Sequence, residues 1–286
     1  MADQEYERIL YEIIEGNIAK VTMNRPEKLN AMDLLMQEEV EESFLRADAD
    51  PNIRVILLAG AGKHWSAGHD YGSNDRRMPK HKPGMPIERK GPEDGFLQEE
   101  IIFYKSALAM RNVTKPTIAM VQGACIASGW QDVCMCDLII ASEDAYFWNP
   151  MMRREACPTL EVLVEPYEMG FRKAKESIWL GLKVTAQEAL KCGMVNRVVP
   201  RAQLEEETLS VARQIAEAPP IAIRLSKKVI NHAWDLTGQR DAWDYDILAH
   251  NFAHWTNEAR NMHKRDQPER ARDTSGWIRK QEKAGA

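Results

Sequence analysis

The sequence predicts an α/β fold, and three hydrophobic segments in its first half carry the prediction. IRVILLAGAG and KPTIAMVQG are runs of apolar residues that end in a glycine, which is typical of strands buried on both faces. CDLIIASEDAYF predicts a third strand of this kind. Helical patterns lie between these segments, and strands that alternate with helices indicate βαβ units with right-handed crossovers.

The remaining elements follow from hydrophobic periodicity. The N-terminal segment ILYEIIEGNIAKVTMN alternates around a Gly-Asn turn and predicts a β-hairpin. NAMDLLMQEEVEESFLRADAD has the spacing of a helix. From about Tyr167 onward the pattern is helical, through EMGFRKAKESIWLGL, TAQEALKCGM, RAQLEEETLSVARQIAEA and IAIRLSKKVINHAWDL. We expect a core of strands and helices over residues 1–200 and a helical C-terminal region over residues 201–286.

Residues 71–96 interrupt this order and form an insertion in the predicted core. The segment is rich in prolines and in Lys and Arg. Long loops without internal structure are usually functional lids or disordered connections. Two interpretations remain open: a solvated flexible loop, or a lid whose basic residues meet a ligand's phosphates through charge-assisted hydrogen bonds.

Composition argues against several classes of protein. The 286 residues are 44% hydrophobic, enough for a substantial core, and the formal net charge of −5 argues against nucleic acid as a main partner. Without an apolar run of 18 residues or a signal-like N-terminus, we expect no membrane span and no secretion. The five cysteines, an odd number, favour a reducing cytoplasm. Cys134 and Cys136 form only C-x-C in an apolar helix, so we expect buried thiols and no metal site.

Four stretches, in order and with matching spacing, resemble the crotonase (enoyl-CoA hydratase/isomerase) superfamily. NRPEKLNAM is similar to its early loop and helix start, and WSAGHD to its F-S-A-G-x-D loop. KPTIAMVQGACIASG followed by CD is similar to its K-P-x-I-A-x-V-x-G segment with the glycine turn. LGLKVTAQEALKCGMVNRVVP is similar to its later helix-and-strand signature. The resemblance spans residues 24–200 and implies a crotonase-like ββα spiral core with a C-terminal helical region.

The resemblance also implies an activity and an assembly. It implies an enzyme that acts on an acyl-CoA thioester, with coenzyme A as part of the substrate and no permanently bound cofactor. Members assemble as trimers or dimers of trimers. We therefore expect a homotrimer or hexamer in the cytoplasm, with residues 201–286 serving oligomerisation.

By resemblance, two backbone N–H groups stabilise the enolate oxyanion of the thioester. One belongs to His69, after the glycine of S-A-G-x-D. The other belongs to Ser128, the middle residue of Ala127-Ser128-Gly129, which stands where the family has a glycine triplet. Each such donor can be worth about 3–4 kcal/mol in the transition state. A nucleophilic role for the Ser128 hydroxyl would need a His–acid pair to activate it, and the sequence places none there.

The resemblance further assigns residues to coenzyme A. They are Lys28 and Leu29 at the pantetheine channel, Ala67, Asp70 and Tyr71 at the adenine side, and His69 and Ser128 at the thioester. For Lys28 a plain solvated charge is an equal alternative. The C-terminal segment with Trp277, Arg279 and Lys280 loosely resembles one that reaches a neighbouring subunit's coenzyme A, but it could equally be a solvated helix.

Both glutamates that hydratases of this family use are replaced. The first position, two residues after the glycine triplet, is Gln131, and the second, after the F-x-x-P of the next loop, is Met151. An amide can orient a water molecule or a carbonyl group but cannot exchange a proton near neutral pH, and a thioether can do neither. A standard two-glutamate hydration is therefore not expected.

Four other residues are candidates for the missing acid–base group. His69 titrates near neutral pH, and some decarboxylases of the superfamily have S-A-G-H-D at this point. Asp132 points about 100° around the helix from residue 131. Glu155 and Glu161 flank Pro158 in a loop where relatives place alternative acids. Three functions stay open: a hydratase/isomerase with relocated acids, a CoA-ester decarboxylase or C–C hydrolase that uses His69, and a non-catalytic acyl-CoA binder.

Overall fold

The computed structural model describes residues 6–15, 17–70, 82, 84–86 and 90–265, in which strands and helices alternate as predicted. Nine strands lie in these ranges: β1 Ile9–Ile14, β2 Ile18–Met23, β3 Val55–Gly60, β4 Thr117–Val121, β5 Ala124–Ile126, β6 Leu138–Ser142, β7 Tyr146–Trp148, β8 Lys183–Thr185 and β9 Arg197–Val199. The α-helices there are α1 Leu34–Ala49, α2 Pro92–Gln98, α3 Lys105–Asn112, α4 Ser128–Cys134, α5 Met151–Arg154, α6 Glu165–Met169, α7 Phe171–Leu180, α8 Ala186–Cys192, α9 Leu204–Glu217, α10 Pro220–Asp235, α11 Gln239–His254 and α12 Asn257–Arg265. A π-helical segment, Glu99–Tyr104, joins α2 to α3.

The larger sheet has the strand order β1-β2-β3-β4-β6-β9. β1 and β2 form the predicted antiparallel hairpin, and the other neighbouring strands pair in parallel. β3 is buried along its whole length because helices cover both faces of the sheet. Its alternate side chains enter two apolar layers: Ile56 and Leu58 join the cluster that contains α1, and Val55 and Leu57 join the cluster that contains α9.

A second sheet, with the order β5-β7-β8, corrects the predicted third strand. CDLIIASEDAYF forms β6 in the large sheet and β7 in the small one. The chain turns between them, where the Ala145 N–H donates to Ser142 O at 3.0 Å and the Tyr146 N–H then donates to Gly123 O at 2.9 Å. The small sheet thereby places β5 and β7 side by side, and the residues that follow these two strands form the candidate site.

The predicted insertion and tail are only partly described. The insertion ends earlier than residue 96, because α2 begins at Pro92, and proline suits the first turn of a helix. The helices α9 to α12 confirm a helical C-terminal region as far as Arg265. Most of 71–90, with Tyr71 and the predicted lid, lies outside the described residues, as do Trp277, Arg279 and Lys280. None of the described helices is both long and apolar enough to cross a bilayer.

Candidate active site

A small pocket, with a cavity volume of about 20 Å³, opens beside the ends of β5 and β7. It brings together five of the residues assigned from the sequence: Ala67, His69, Ser128, Glu155 and Glu161. The rest of its lining is Ile126, Ala127, Pro150, Met151, Arg154 and Leu160. The pocket therefore combines an apolar wall with two carboxylates, one imidazole and one guanidinium group.

Gly68 allows the two loops of the predicted oxyanion hole to lie against each other. Its φ is +83°, and a Cβ atom there would lie 2.9 Å from the backbone oxygen of Ile126 and 3.0 Å from Ala127 Cβ. Only glycine satisfies both the left-handed conformation and this close approach. The same hypothetical Cβ would lie 3.5 Å from the Ser128 nitrogen, so the loop that carries His69 directly adjoins the turn that carries Ser128.

The turn before α4, Ala127-Ser128-Gly129, stands where the family has three glycines, and only one of its residues is glycine. Ala127 has a φ of +51°, an unfavourable conformation for an L-residue that costs on the order of 1–3 kcal/mol. Gly129 is required by packing, since a Cβ atom there would lie 3.0 Å from Ser66 Cβ. Ser128 is the first residue of α4. In the part of the chain that the structure describes, neither its N–H nor its Oγ makes a hydrogen bond.

His69 and Glu161 form the central polar pair of the pocket. His69 Nδ1 lies 3.3 Å from Glu161 Oε1, and both side chains are buried. The imidazole ring stacks on Phe103 with 3.8 Å between ring centroids, which fixes its plane. Burial alone would raise the pKa of Glu161, but the neighbouring imidazoles of His69 and His250 bring that pKa below its usual value. The carboxyl group predicted as one of several candidates thus lies against the predicted histidine.

Glu155 lies on the other side of the pocket. It is buried, and its Oε1 is 3.3 Å from Arg154 Nε. The Arg154 side chain is itself largely buried, so this ion pair is shielded from solvent. Glu155 can orient a polar group of a ligand, and the Arg154 guanidinium places a positive charge beside it.

The two positions of the family's usual glutamates have different surroundings. Gln131 is buried and does not line the pocket. Its Oε1 accepts a hydrogen bond from the Val162 N–H at 2.9 Å. This bond fastens the segment next to Glu161 to helix α4. Met151 lines the pocket as an apolar group. A catalytic role for Gln131 remains a prediction. In the structure its amide holds the backbone at Val162 in place.

Asp132 lies behind the pocket and not in its lining. It is buried, and burial, reinforced by the Glu161 carboxylate, raises its pKa well above the usual value. A buried carboxyl group with a raised pKa and no place in the pocket lining fits a structural role.

Three of the residues assigned to coenzyme A, Lys28, Leu29 and Asp70, are not part of the pocket lining. Lys28 is exposed at the end of a 3₁₀ turn, and Leu29 packs against the small apolar cluster that contains Ala67. Asp70 Oδ2 accepts a hydrogen bond from Arg25 Nη2 at 3.0 Å, which ties two loops together. The contacts of Lys28, Leu29 and Ala67 are compatible with a ligand channel, whereas Asp70 has a structural partner.

Sequence reasoning missed two residues that act on the His69–Glu161 pair: one orients the His69 ring and the other lowers the pKa of Glu161. Phe103 comes from the π-helical segment, and His250 comes from α11, where its Nε2 lies 3.8 Å from Glu161 Oε1. Phe103 carries no sequence signal. His250 and His254, spaced four apart on a helix, are a visible pattern that could have been followed.

The protonation of Asp246, a buried residue of helix α11, can be tested through the pH dependence of stability. Thr159 Oγ1 donates to Asp246 Oδ1 at 2.6 Å, and no described residue hydrogen-bonds to Oδ2. Burial raises the pKa of Asp246 to about 8, and the Thr159 hydrogen bond only partly opposes this. An unfolded aspartate has a pKa of about 3.9. The folded state therefore retains a proton between these two values that the unfolded chain has lost.

We expect the free energy of unfolding to fall as pH rises from about 4 to about 8, by up to about 1.4 kcal/mol per unit from this group. Asp246→Asn preserves the acceptor for Thr159 and should flatten that slope. Urea unfolding across the pH range, with a chelator present, measures it. Asp241→Asn, an exposed aspartate on the same helix, is the matched control. Parallel pH slopes for wild type and Asp246→Asn would contradict a protonated Asp246.

The spiral of βα units, with a pocket at the ends of β5 and β7, defines a crotonase-fold protein. The chain belongs to the enoyl-CoA hydratase/isomerase family, whose sequence profile matches residues 13–266. It is an enzyme of the hydratase/isomerase type that acts on acyl-CoA, which confirms the resemblance predicted from the four sequence stretches.

Individual relatives agree with this assignment. One relative, EchA13 of Mycobacterium tuberculosis (strain ATCC 25618 / H37Rv), is named as an enoyl-CoA hydratase. The chain is 37% identical to it over 264 residues, and the match covers 88% of this chain and 83% of the relative. It is 33% identical to the hydroxycinnamoyl-CoA hydratase-lyase of Pseudomonas fluorescens, covering 80% of each. The crystal structure of a "probable enoyl-CoA hydratase" from Mycobacterium thermoresistibile matches with a TM-score of 0.79 and 37% identity, covering 89% of this chain and 98% of that one.

Proposed function

We propose that this enzyme hydrates a 2-enoyl-CoA with relocated acid–base residues, Glu161 and His69, in place of the family's two glutamates. The observation that carries the proposal is the contact of 3.3 Å between His69 Nδ1 and Glu161 Oε1 at the wall of the pocket. The same pocket is lined by Ser128 and by Glu155. These contacts support a proton carrier and an oxyanion site that do not depend on Glu at positions 131 and 151.

The oxyanion is the first element of this mechanism. Attack of water at Cβ moves electrons onto the thioester oxygen, and the backbone N–H groups of His69 and Ser128 would stabilise that charge. The close approach of the Gly68 loop to the Ser128 turn supports the proposal, because both donors adjoin one pocket. Donors fixed by backbone packing need no reorganisation as charge develops.

Proton transfer is the second element. Glu161, oriented by His69, accepts a proton from the attacking water, and the pair returns that proton to Cα of the enolate, so that one water is added overall. Glu155, paired with Arg154, positions the water. General acid–base catalysis of this kind contributes about 10²–10⁴-fold to a rate.

Ligand binding and turnover test the proposal directly. Isothermal titration with crotonyl-CoA, cinnamoyl-CoA and free CoA measures binding, and the loss of the enoyl-thioester absorbance measures hydration. We expect binding of all three and hydration of at least one enoyl-CoA. Binding without turnover of either enoyl-CoA would favour the non-catalytic acyl-CoA binder, and the absence of binding would refute the acyl-CoA proposal.

A second candidate is cleavage of the carbon–carbon bond after hydration. The similarity to the hydroxycinnamoyl-CoA hydratase-lyase favours it. Glu161 could remove the proton of the new β-hydroxyl, so that the Cα–Cβ bond breaks to give an aldehyde and an acetyl-CoA enolate, which then takes up a proton. Detection of an aldehyde and acetyl-CoA as products distinguishes this reaction from simple hydration.

We further propose that the chain forms a homotrimer or hexamer. Support comes from large apolar side chains that are exposed on α7, α10 and α11 of the single chain: Phe171, Trp179, Ile221, Val229 and Phe252. Exposed apolar surface of this extent marks an interaction site. Light scattering of the purified protein tests the assembly.

A further inference from the structure

Next to the active site lies a cluster of side chains of the types that bind metals, and none of them transfers a proton in the proposed hydration. His250 and His254 are one turn apart on α11, and their Nε2 atoms are 3.0 Å from each other. Glu99, at the start of the π-helical segment, places its Oε2 3.9 Å from His250 Nε2 and 3.8 Å from His254 Nε2. Cys157, from the loop after α5, places its Sγ 3.7 Å from His254 Nε2.

These separations are those of ligand atoms around one small cation. Three atoms that are 3.0, 3.8 and 3.9 Å apart share a centre about 2.1 Å from each, which is the length of a Zn–N or Zn–O bond. The reactive atoms of Cys157, His250 and His254 all lie within 4.8 Å of one another. Glu99 is not part of that trio, so a tetrahedral set of four donors requires the Glu99 or the Cys157 side chain to move.

The hydrogen bonding of His250 prepares it as a ligand. Its Nδ1 lies 3.0 Å from the backbone oxygen of Thr159, which can only accept a hydrogen bond. Nδ1 therefore carries a proton, and in the tautomer that a bound cation requires this leaves the lone pair on Nε2, which faces His254 and Glu99. An imidazole whose other nitrogen donates to a backbone carbonyl is the usual arrangement in metal sites.

The donor set selects the class of metal. Two imidazoles, a thiol and a carboxylate suit Zn²⁺, whereas Mg²⁺ and Ca²⁺ prefer oxygen ligands. Cys157 and the two other buried ligands are shielded from solvent, whereas the His254 side chain is 21% exposed and offers a way in for the ion. Cys157 also lines a wide groove between α11 and the loop after α5, with a cavity volume of about 740 Å³.

We propose that Glu99, Cys157, His250 and His254 bind one Zn²⁺ ion. The ion would join three separate segments: the π-helical segment, the loop after α5, and α11. It would fix the wall of the active site from behind, since His250 Nε2 is 3.8 Å from Glu161 Oε1. We expect no metal at the C-x-C pair of Cys134 and Cys136, and the proposed site uses neither of these residues.

Metal analysis of the wild-type protein tests the proposal without any substitution. Protein purified without chelator, or stripped with EDTA and reloaded with Zn²⁺, should hold about one Zn²⁺ per chain after gel filtration, with a dissociation constant below about 1 µM. Co²⁺ in its place should show the visible bands of a tetrahedral site and a thiolate-to-cobalt charge-transfer band that Cys157→Ser abolishes. No retained Zn²⁺ in the reloaded protein would overturn the proposal.

Variants then locate the site. His250→Ala/His254→Ala should weaken Zn²⁺ binding by at least about 100-fold. The matched control is His232→Ala/Cys192→Ser, which removes an exposed histidine and an exposed cysteine and should leave the stoichiometry and affinity unchanged. Zn²⁺ binding that is lost in the control, or unchanged in the His250/His254 variant, would assign the metal to a different place. These measurements do not depend on hydratase activity, so they can fail independently of the proposed function.

Discussion

Glu161→Gln is expected to reduce hydration of a 2-enoyl-CoA by about 10²–10⁴-fold, because it removes the group that we propose carries the proton. Glutamine retains the size of the side chain and an acceptor for His69, so the fold and the affinity for the acyl-CoA should persist. The measurement is kcat and KM for the best substrate of the binding panel, with the dissociation constant determined separately.

The matched control is Glu168→Gln in helix α6. Burial raises the pKa of Glu168 to about 8, so an uncharged amide there replaces a carboxyl group that is already largely neutral. Glu168 does not line the pocket. The control should keep wild-type kcat. A Glu161→Gln enzyme that retains more than about a tenth of wild-type kcat would show that another group transfers the proton.

Ser128→Pro is expected to lower kcat by at least about 10²–10³-fold, since it deletes one of the two proposed oxyanion donors. Ser128 is the first residue of α4, so its N–H lies outside the helical hydrogen bonds, but proline there also disfavours the positive-φ conformation of Ala127. Circular dichroism and CoA binding establish whether the variant is folded, and steady-state kinetics measures the loss.

Ser128→Gly is the companion variant, because it removes the hydroxyl and retains the N–H. The Ser128 Oγ has no hydrogen-bond partner among the described residues, which supports a role for the backbone alone. We expect this variant to keep most of its activity. A loss of more than about a hundredfold in the glycine variant, with CoA binding intact, would exceed the usual effect of one donor and assign the chemistry to the hydroxyl. A hydrolase with Ser128 as nucleophile would then have to be considered.

The sequence predicted the architecture well where hydrophobic periodicity is strong. The hairpin, the buried parallel strands and the C-terminal helices follow from local pattern and burial. The break between β6 and β7 was missed, although the polar run Ser142-Glu143-Asp144 interrupts the apolar pattern there. The turn there depends on a tertiary hydrogen bond from Tyr146 to Gly123 that no local pattern encodes.

The backbone loops of the candidate site were predictable from the sequence, and the contacts between its charged side chains were less so. The loops of His69 and Ser128 are fixed by motif spacing, and the structure brings them together. The choice between Glu155 and Glu161 was open in the sequence, because it depends on contacts between side chains far apart in the chain. His69 is 92 residues from Glu161, and Glu99 is about 150 residues from His250 and His254. Only folding reveals these neighbours.

Exchange of the α-protons of butyryl-CoA in D₂O tests the central claim most directly, because exchange requires both enolate stabilisation and a base, and needs no assumption about the natural acyl group. The account predicts that the wild-type enzyme incorporates deuterium at Cα, detected by mass spectrometry, and that Glu161→Gln and Ser128→Pro incorporate little or none while Ser128→Gly remains active. Wild-type protein that binds butyryl-CoA without exchange, or exchange that Glu161→Gln leaves unchanged, would contradict it.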